Sequence, residues 1–162
     1  MTPLKTILPK SVLTLLLLTV TLISCSSDDD PLTPDLSDYT LTAIVDGVDF
    51  SRDNAIVGTA PDDVDIYIIT AIGETSISIA LSSPLSEGTF STSVDEEAIL
   101  IYQTSDNIDG WWLANDGVGS GTVTISKNND SYIEGTFSFT AFNGLSNTTK
   151  EITEGKFKAQ KI

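Results

Sequence analysis

Apolar and polar residues alternate along most of the chain beyond its first quarter, which is the pattern of half-buried antiparallel strands. The alternation is cleanest in Ser76–Leu81, Thr122–Ser126 and Ile133–Ala141. Two other segments, Val64–Ala71 and Ala98–Tyr102, are apolar on both faces, so we expect them to be central in a sheet or covered on both sides. No capped helical period follows the first quarter. The pattern therefore predicts an all-β domain.

Turn residues separate these segments. Asp46-Gly47 lies between two apolar runs and is the strongest short hairpin signal available. Asn128–Ser131 and Asn143-Gly144 bound the long alternating segment on its two sides. We count about nine to eleven short strands with turns every eight to twelve residues or so, a spacing typical of sandwiches and barrels. The predicted fold is an antiparallel β-sandwich, and a closed lipocalin-like β-barrel is the alternative.

A short glycine–phenylalanine motif recurs along the chain. It stands at Glu87–Ser91, at Glu134–Ser138 and, in a weaker form, at Glu154–Phe157. The unequal spacing excludes a solenoid. We interpret each glycine as the site of a bulge or close crossing and each phenylalanine as a core residue. Because Ile152 and Phe157 have opposite parity, both can face inward only if a bulge lies between them.

The first residues, 1–24, have the composition of a secretory signal peptide. Two lysines precede the 13-residue uncharged stretch Ser11–Ile23, which is shorter than the roughly 20 residues that a membrane-spanning helix needs. The run LISC, Leu22–Cys25, resembles the bacterial lipobox, in which the cysteine is acylated. That resemblance implies that acylated Cys25 anchors the protein in a lipid bilayer. A secreted protein with one free cysteine is the alternative.

An acidic stretch follows the cysteine and resembles the surface-export signal of Bacteroidota-type surface lipoproteins. Its residues are Ser26, Ser27, Asp28, Asp29 and Asp30. The alternative is a solvated acidic linker. We expect residues 25–38 to form the lipidated cysteine and a disordered acidic tether, and residues 39–162 to form a single β domain. The expected location is the outer membrane, with the domain lipid-anchored and exposed at the cell surface.

The segments GTFSFTA (Gly135–Ala141) and ITEGKF (Ile152–Phe157) resemble those of a family of small Bacteroidota lipoproteins of unknown function. The opening run LTAIVDGVDF (Leu41–Phe50) is similar to that family's first motif, and Gly88–Phe90 fits its middle. These motifs are structural. The resemblance therefore implies a β domain on a lipid tether at the cell envelope, and it transfers no catalytic residue.

Composition excludes several classes of protein. The chain has 162 residues, no His, one Cys and a net charge of −15. Without His there is no His-based acid–base catalysis, and one Cys excludes an intrachain disulfide. The excess of acid argues against a nucleic-acid partner. The carboxylate runs Asp62-Asp63 and Asp95–Glu97 have the character of exposed turns rather than of a glycosidase pair. We predict that the protein is not an enzyme.

Charge is distributed unevenly, with one base against 19 acids in residues 25–126. A solvated acidic surface explains most of this excess. The segment Ser105–Asp116 partly matches an EF-hand loop but departs from it at the first and twelfth positions, and its flanks are predicted strands. A looser Ca²⁺ loop formed by Asp106, Asp109 and Asp116 is the alternative. We otherwise expect no cofactor.

Adjacent tryptophans, Trp111 and Trp112, are the remaining candidate site. Neighbours in an extended chain point to opposite faces, so one indole should lie outside if the other lies inside. An exposed tryptophan can stack on a sugar ring or fill a pocket of a protein partner. The alternative is that both are partly buried. We therefore predict a non-catalytic cell-envelope lipoprotein with a structural or protein-binding role. The alternative is a surface glycan-binding module that Ca²⁺ assists.

Overall fold

The computed structural model describes residues 38–93, 97–104 and 107–162. Eleven strands and one short 3-10 helix, Ile108–Gly110, make up the regular structure of these residues. The strands are β1 Thr40–Val45, β2 Val48–Asp53, β3 Ile56–Ala60, β4 Asp63–Thr70, β5 Ser76–Ser82, β6 Gly88–Ser91, β7 Ala98–Gln103, β8 Trp111–Ala114, β9 Ser120–Asn128, β10 Tyr132–Asn143 and β11 Thr148–Lys161. The prediction of an all-β fold is confirmed.

The strands form a sandwich of two layers. One layer has six strands in the order β2-β1-β11-β10-β9-β6, and the other has five in the order β3-β4-β5-β7-β8. The layers face each other across the core, where the rings of Phe50 in β2 and Tyr102 in β7 have centroids 6.4 Å apart.

Hydrogen bonding continues between the layers at two corners. The end of β11 pairs with β3 at two positions, and β10 pairs with β8 at one, Phe142 opposite Leu113. All eleven strands thus belong to one hydrogen-bonded sheet, which turns at these two short corner ladders. The arrangement agrees with the predicted sandwich.

Local sequence explains the first hairpin. Val45 pairs with Val48, so the turn consists of two residues. Asp46 and Gly47 have φ angles of 48° and 81°. A two-residue hairpin turn of this type needs positive φ at both positions, which Asp and Gly tolerate. The Asp46-Gly47 turn therefore forms as predicted.

The predicted bulge in β11 is confirmed. Phe137 of β10 pairs with Gly155, and Phe139 pairs with Ile152, so β11 has one residue more than β10 between these pairs. Glu154 takes up the irregularity with a φ of 52°. Because of this extra residue, Ile152 and Phe157 point to the same side of β11, and both are buried.

A single hydrophobic core lies between the layers. The largest fully buried apolar side chains are Leu41, Ile69, Ile77, Ile79, Leu81, Leu100, Val123, Ile125, Ile133 and Ile152. Each such side chain contributes about 1.5–3 kcal/mol relative to an exposed one. As predicted, β4 and β7 occupy interior positions in their layer.

Several predicted features lie outside the described residues. These are the signal peptide 1–24, the lipidation residue Cys25, the export residues Ser26–Asp30 and the tether as far as residue 37. Within the described part of the chain, no helix has the length and hydropathy needed to cross a bilayer.

Candidate functional site

The outward face of the five-stranded layer is largely apolar, although the hydroxyl groups of Thr70 and Ser78 lie in one of its rows. Ile68, Ala80 and Ile99 lie side by side on three neighbouring strands. A second row runs from Ile101 across Leu113 to the corner residue Phe142. We call the following set the apolar face: Ile66, Ile68, Ala80, Ile99, Ile101, Trp111, Leu113, Val118, Phe142 and Leu145. The outward face of a sandwich is ordinarily polar, so this surface needs an explanation.

A groove of about 480 Å³ lies at one end of the apolar face. Its walls are Ile101, Trp111, Leu113, Val118, Phe142, Asn143, Gly144 and Leu145. Trp111 is 40% exposed, Val118 38% and Leu145 65%. Large apolar side chains exposed in one contiguous patch are typical of an interaction surface.

A second depression of about 530 Å³ lies at the other end of the same face. Its walls are Asp63, Asp65, Ile66, Ala80, Leu81, Ser82, Ser83 and Ile99. Ile99 lines this depression and Ile101 lines the groove, and the two residues are two positions apart on β7. Residues two apart in a strand point to the same side. Groove and depression therefore belong to one continuous surface.

Asn143 connects two of the segments that form the groove. Its side chain is buried, and Oδ1 accepts hydrogen bonds from the backbone N–H groups of Leu145 and Ser146, each at 2.9 Å. Its Nδ2 donates to the backbone carbonyl of Asp109 at 2.9 Å. One amide thus fixes the β10–β11 turn, which carries Leu145, to the segment that precedes Trp111.

The two tryptophans lie on opposite sides of β8. Trp111 lines the outer groove, whereas Trp112 packs against the core. The indole Nε1 of Trp112 donates to the Thr148 hydroxyl at 3.0 Å, and its ring lies 5.9 Å from that of Tyr102. Because the indoles face apart, they do not form one platform for a sugar ring.

A separate cleft of about 390 Å³ lies at the end of the sandwich, near the β1–β2 hairpin. Phe50 and Tyr102 are its aromatic residues, and the guanidinium carbon of Arg52 lies 5.0 Å from the centroid of Phe50. Arg52 also donates from Nε to the backbone carbonyl of Thr75 at 3.0 Å. The Arg52 side chain is therefore already engaged by groups of the domain itself.

An ion pair stands at the mouth of this cleft, where Lys150 Nζ lies 2.6 Å from Asp46 Oδ2. The hydrogen bond from Lys150, together with one from the backbone N–H of Glu151, holds the pKa of Asp46 below its ordinary value. The pair therefore joins the β1–β2 turn to β11.

Residues 40–159 match the family described as a domain of unknown function, DUF6252. The chain belongs to this family. The matched range begins at the first residue of β1 and ends two residues before the end of β11, so the DUF6252 domain is the sandwich itself. Comparisons with curated proteins and with solved structures found no match.

The proposed Ca²⁺ residues are not brought together by the described part of the DUF6252 domain. Asp109 precedes β8 and Asp116 follows it. The four extended residues between them span about 13 Å, whereas Ca²⁺ binds oxygens at about 2.3–2.6 Å. Asp106 lies outside the described residues. Across the residues that are described, no three His, Cys, Asp or Glu side chains are grouped to hold a metal.

The outward face of the six-stranded layer has a different character in the DUF6252 domain. Hydroxyl side chains of β6, β9 and β10 line a polar groove of about 340 Å³ there. Lys127 and Lys158 lie over the ring of Tyr132, at 4.9 and 5.1 Å from its centroid. The two layers therefore present chemically opposite surfaces, one apolar and one rich in hydroxyl and ammonium groups.

Sequence reasoning identified Trp111 but missed the rest of the apolar face. The signal was present, because Ala98–Tyr102 is apolar at every position. We expected such a strand to be central or covered on both sides. β7 is central, yet its outward residues Ile99 and Ile101 are only half-buried. A strand that is apolar on both faces can thus also contribute to an exposed apolar surface.

Proposed function

We propose that this chain is a lipid-anchored outer-membrane lipoprotein of the kind found in Bacteroidota, exposed at the cell surface. In this proposal it has no catalytic activity and displays the DUF6252 domain as a protein-binding module. The partner docks on the apolar face. The observation that carries the proposal is the exposed groove around Trp111.

The composition of the face supports this proposal. Protein interfaces have an apolar centre that excludes water, and tryptophan is enriched among the residues that dominate their binding energy. Trp111 and Leu145 both line the groove, where the side chain of a partner would contact them. The groove volume is also sufficient to hold apolar side chains of another protein.

The expected anchor supports the location. Acyl chains contribute about 0.8 kcal/mol per buried CH₂, so one chain binds a bilayer marginally and two or three bind it firmly. Thirteen residues, 26–38, separate Cys25 from the first residue before β1. Fully extended, such a segment reaches at most about 40 Å. That length leaves the apolar face room to receive a partner beside the membrane.

A photo-crosslinking experiment in cells tests the proposal. The full chain carries a photoreactive amino acid either at Leu145, on the apolar face, or at Thr136, an exposed outward position of β10 in the other layer. We expect one discrete protein adduct from the Leu145 position and little from Thr136. Adding Trp111→Asp to the chain with the photoreactive residue at position 145 should remove that adduct. A bound partner would have to strip water from the new carboxylate, which costs free energy.

The contrary outcomes are distinct. Equal adducts from both positions, or an adduct that survives Trp111→Asp, would show that the apolar face is not the binding surface. An adduct that glycosidases digest and proteases do not would replace the protein partner with a glycan.

A further inference from the structure

The five-stranded layer is built from a segment without any base. No Lys or Arg occurs between Arg52 and Lys127, whereas that segment contains 12 Asp and Glu residues. It spans every strand from β3 to β8. The charge of the surface around the apolar face is therefore negative.

Carboxylates flank the apolar face at both ends. Asp63 and Asp65 line the depression beside Ile66 and Ile99. At the groove end, Asp109 lies two residues before Trp111 in the chain, and Asp116 lies two residues before Val118. All four carboxylates are exposed, and among the described residues none of them forms an ion pair.

We infer that the partner of the apolar face is a protein surface with an apolar centre and a rim of Lys or Arg. This inference rests on the proposed function. A partner with basic groups would meet four carboxylates that have no cation of their own, which raises both the association rate and the specificity. An acidic partner would place like charges next to each other around the apolar centre, and this repulsion would weaken binding.

The same charge disfavours two other occupants. A second copy bound symmetrically through this face would place two acidic rims against each other. An anionic bilayer surface would repel the rim in the same way. Lys127, Lys156 and Lys158 do not neutralise this rim, because their strands belong to the six-stranded layer.

Synthetic peptides test the inference with residues 26–162 carrying Trp112→Phe, so that Trp111 is the one remaining tryptophan. Three peptides share an apolar Leu-Phe-Leu centre and differ in flanking residues, which are lysines, serines or glutamates. We expect the lysine peptide to shift Trp111 emission at a concentration about tenfold lower than the glutamate peptide in dilute salt, with the difference narrowing at high salt.

Charge variants give the matched control. Replacing Asp63, Asp65, Asp109 and Asp116 with Asn should remove the preference for lysine, so that the lysine and glutamate peptides shift Trp111 emission at similar concentrations. The control variant Glu134→Gln/Glu151→Gln, in the other layer, should keep the preference.

Each contrary result has its own meaning. Equal affinity for the lysine and glutamate peptides would overturn the cationic partner and leave protein binding intact. A shift produced by phosphatidylglycerol vesicles and by none of the peptides would replace the protein with an anionic membrane. If no peptide and no vesicle shifts the emission, and Leu145 gives no adduct in cells, the inference and the proposed function both fail.

Discussion

Phe137 of β10 and Gly155 of β11 lie opposite each other, and a Cβ atom on Gly155 would stand 2.5 Å from Cδ2 of Phe137. The same relationship recurs in reverse two pairs away along the ladder. Phe157 lies opposite Gly135, where a Cβ atom would stand 2.6 Å from the Cζ atom of that phenylalanine. Each glycine thus makes room for the phenylalanine of the other motif, and the two rings stack at 6.4 Å.

Gly155→Ala should destabilise the domain by about 1–3 kcal/mol, because the added methyl group overpacks the site against both the ring and the backbone carbonyl of Phe137. Gly155→Val should cost more. Chemical denaturation of residues 26–162 measures the difference. Gly144→Ala is the matched control, since its Cβ would meet Phe142 at an ordinary 3.8 Å.

The double variant Phe137→Leu/Gly155→Ala provides the critical comparison. If contact with Phe137 causes the loss, the double variant should be more stable than the sum of the two single changes predicts. Strict additivity would assign the loss to the backbone carbonyl of Phe137 rather than to its ring. A Gly155→Ala variant as stable as Gly144→Ala would contradict the close packing of this pair.

Local features of the fold could be read from the sequence, and features that depend on strand register could not. Alternation located the strands, Asp46-Gly47 located the hairpin, and parity located the bulge, because each involves residues that are near in sequence. The reciprocal glycine–phenylalanine packing requires the register of β10 against β11. No local pattern contains that register, although the repeated motif was visible.

The candidate site divides in the same way. Opposite faces for Trp111 and Trp112 follow from the geometry of one strand. The groove exists because Leu113 meets Phe142 across a corner of the sandwich. That contact joins residues far apart in sequence, so the sequence showed an apolar strand and not the surface to which it contributes.

Asn143→Ala should destabilise the domain by about 1–3 kcal/mol, because it removes three partly buried hydrogen bonds to the backbone. It should also shift the emission of Trp111 in the Trp112→Phe background, since the bond to Asp109 positions the segment before that indole. Denaturation and fluorescence measure the two effects.

Asn129→Ala is the matched control for Asn143. Asn129 Oδ1 also accepts two backbone N–H groups, those of Ser131 and Tyr132, but within its own turn. Asn129→Ala should lower the free energy of unfolding by less than Asn143→Ala does, and it should leave Trp111 emission unchanged. An identical emission shift in both variants would contradict the role of Asn143 in the groove.

The Asp46–Lys150 pair predicts a pH dependence of stability. The pKa of Asp46 is lowered in the folded state by Lys150 and by the Glu151 N–H. The contribution of ionised Asp46 to the free energy of unfolding is therefore complete above its unfolded-state pKa near 4. It is lost as the pH falls through the lower pKa of the folded state. Asp46→Asn keeps a residue that tolerates positive φ and removes the titration.

The stability difference between the wild type and Asp46→Asn should therefore be constant from pH 7 to about pH 4 and shrink below that pH. It should be small and sensitive to salt, because Asp46 is 40% exposed. Denaturation curves at several pH values measure it. A difference that does not change with pH would show that the pair contributes nothing through its charge.

The lipobox resemblance predicts that Cys25→Ala abolishes labelling by a fatty-acid probe and leaves the signal peptide uncut. Ile23→Ala is the control, since alanine is more usual at that position of the lipobox, and it should label normally. Labelling that persists in Cys25→Ala would refute the anchor.

Replacement of Asp28–Asp30 with Ala tests export on the same chain. Labelling should persist while protease shaving of intact cells removes less of the protein. If protease shaving removes as much of this variant as of the wild type, the acidic stretch acts as a linker and not as an export signal.

Replacement by phenylalanine should affect stability and fluorescence differently at Trp111 and at Trp112. Trp112→Phe loses the hydrogen bond to Thr148 and part of the contact with Tyr102, so it should cost about 1 kcal/mol. Trp111→Phe should change stability by less than about 0.5 kcal/mol, because Trp111 stands at the surface. In Trp112→Phe the remaining indole should emit at longer wavelength and be quenched strongly by acrylamide, and in Trp111→Phe the remaining indole should be shielded. Equal quenching of the two variants would mean that the indoles do not lie on opposite sides of β8, and the groove would lose the exposed aromatic on which partner binding depends.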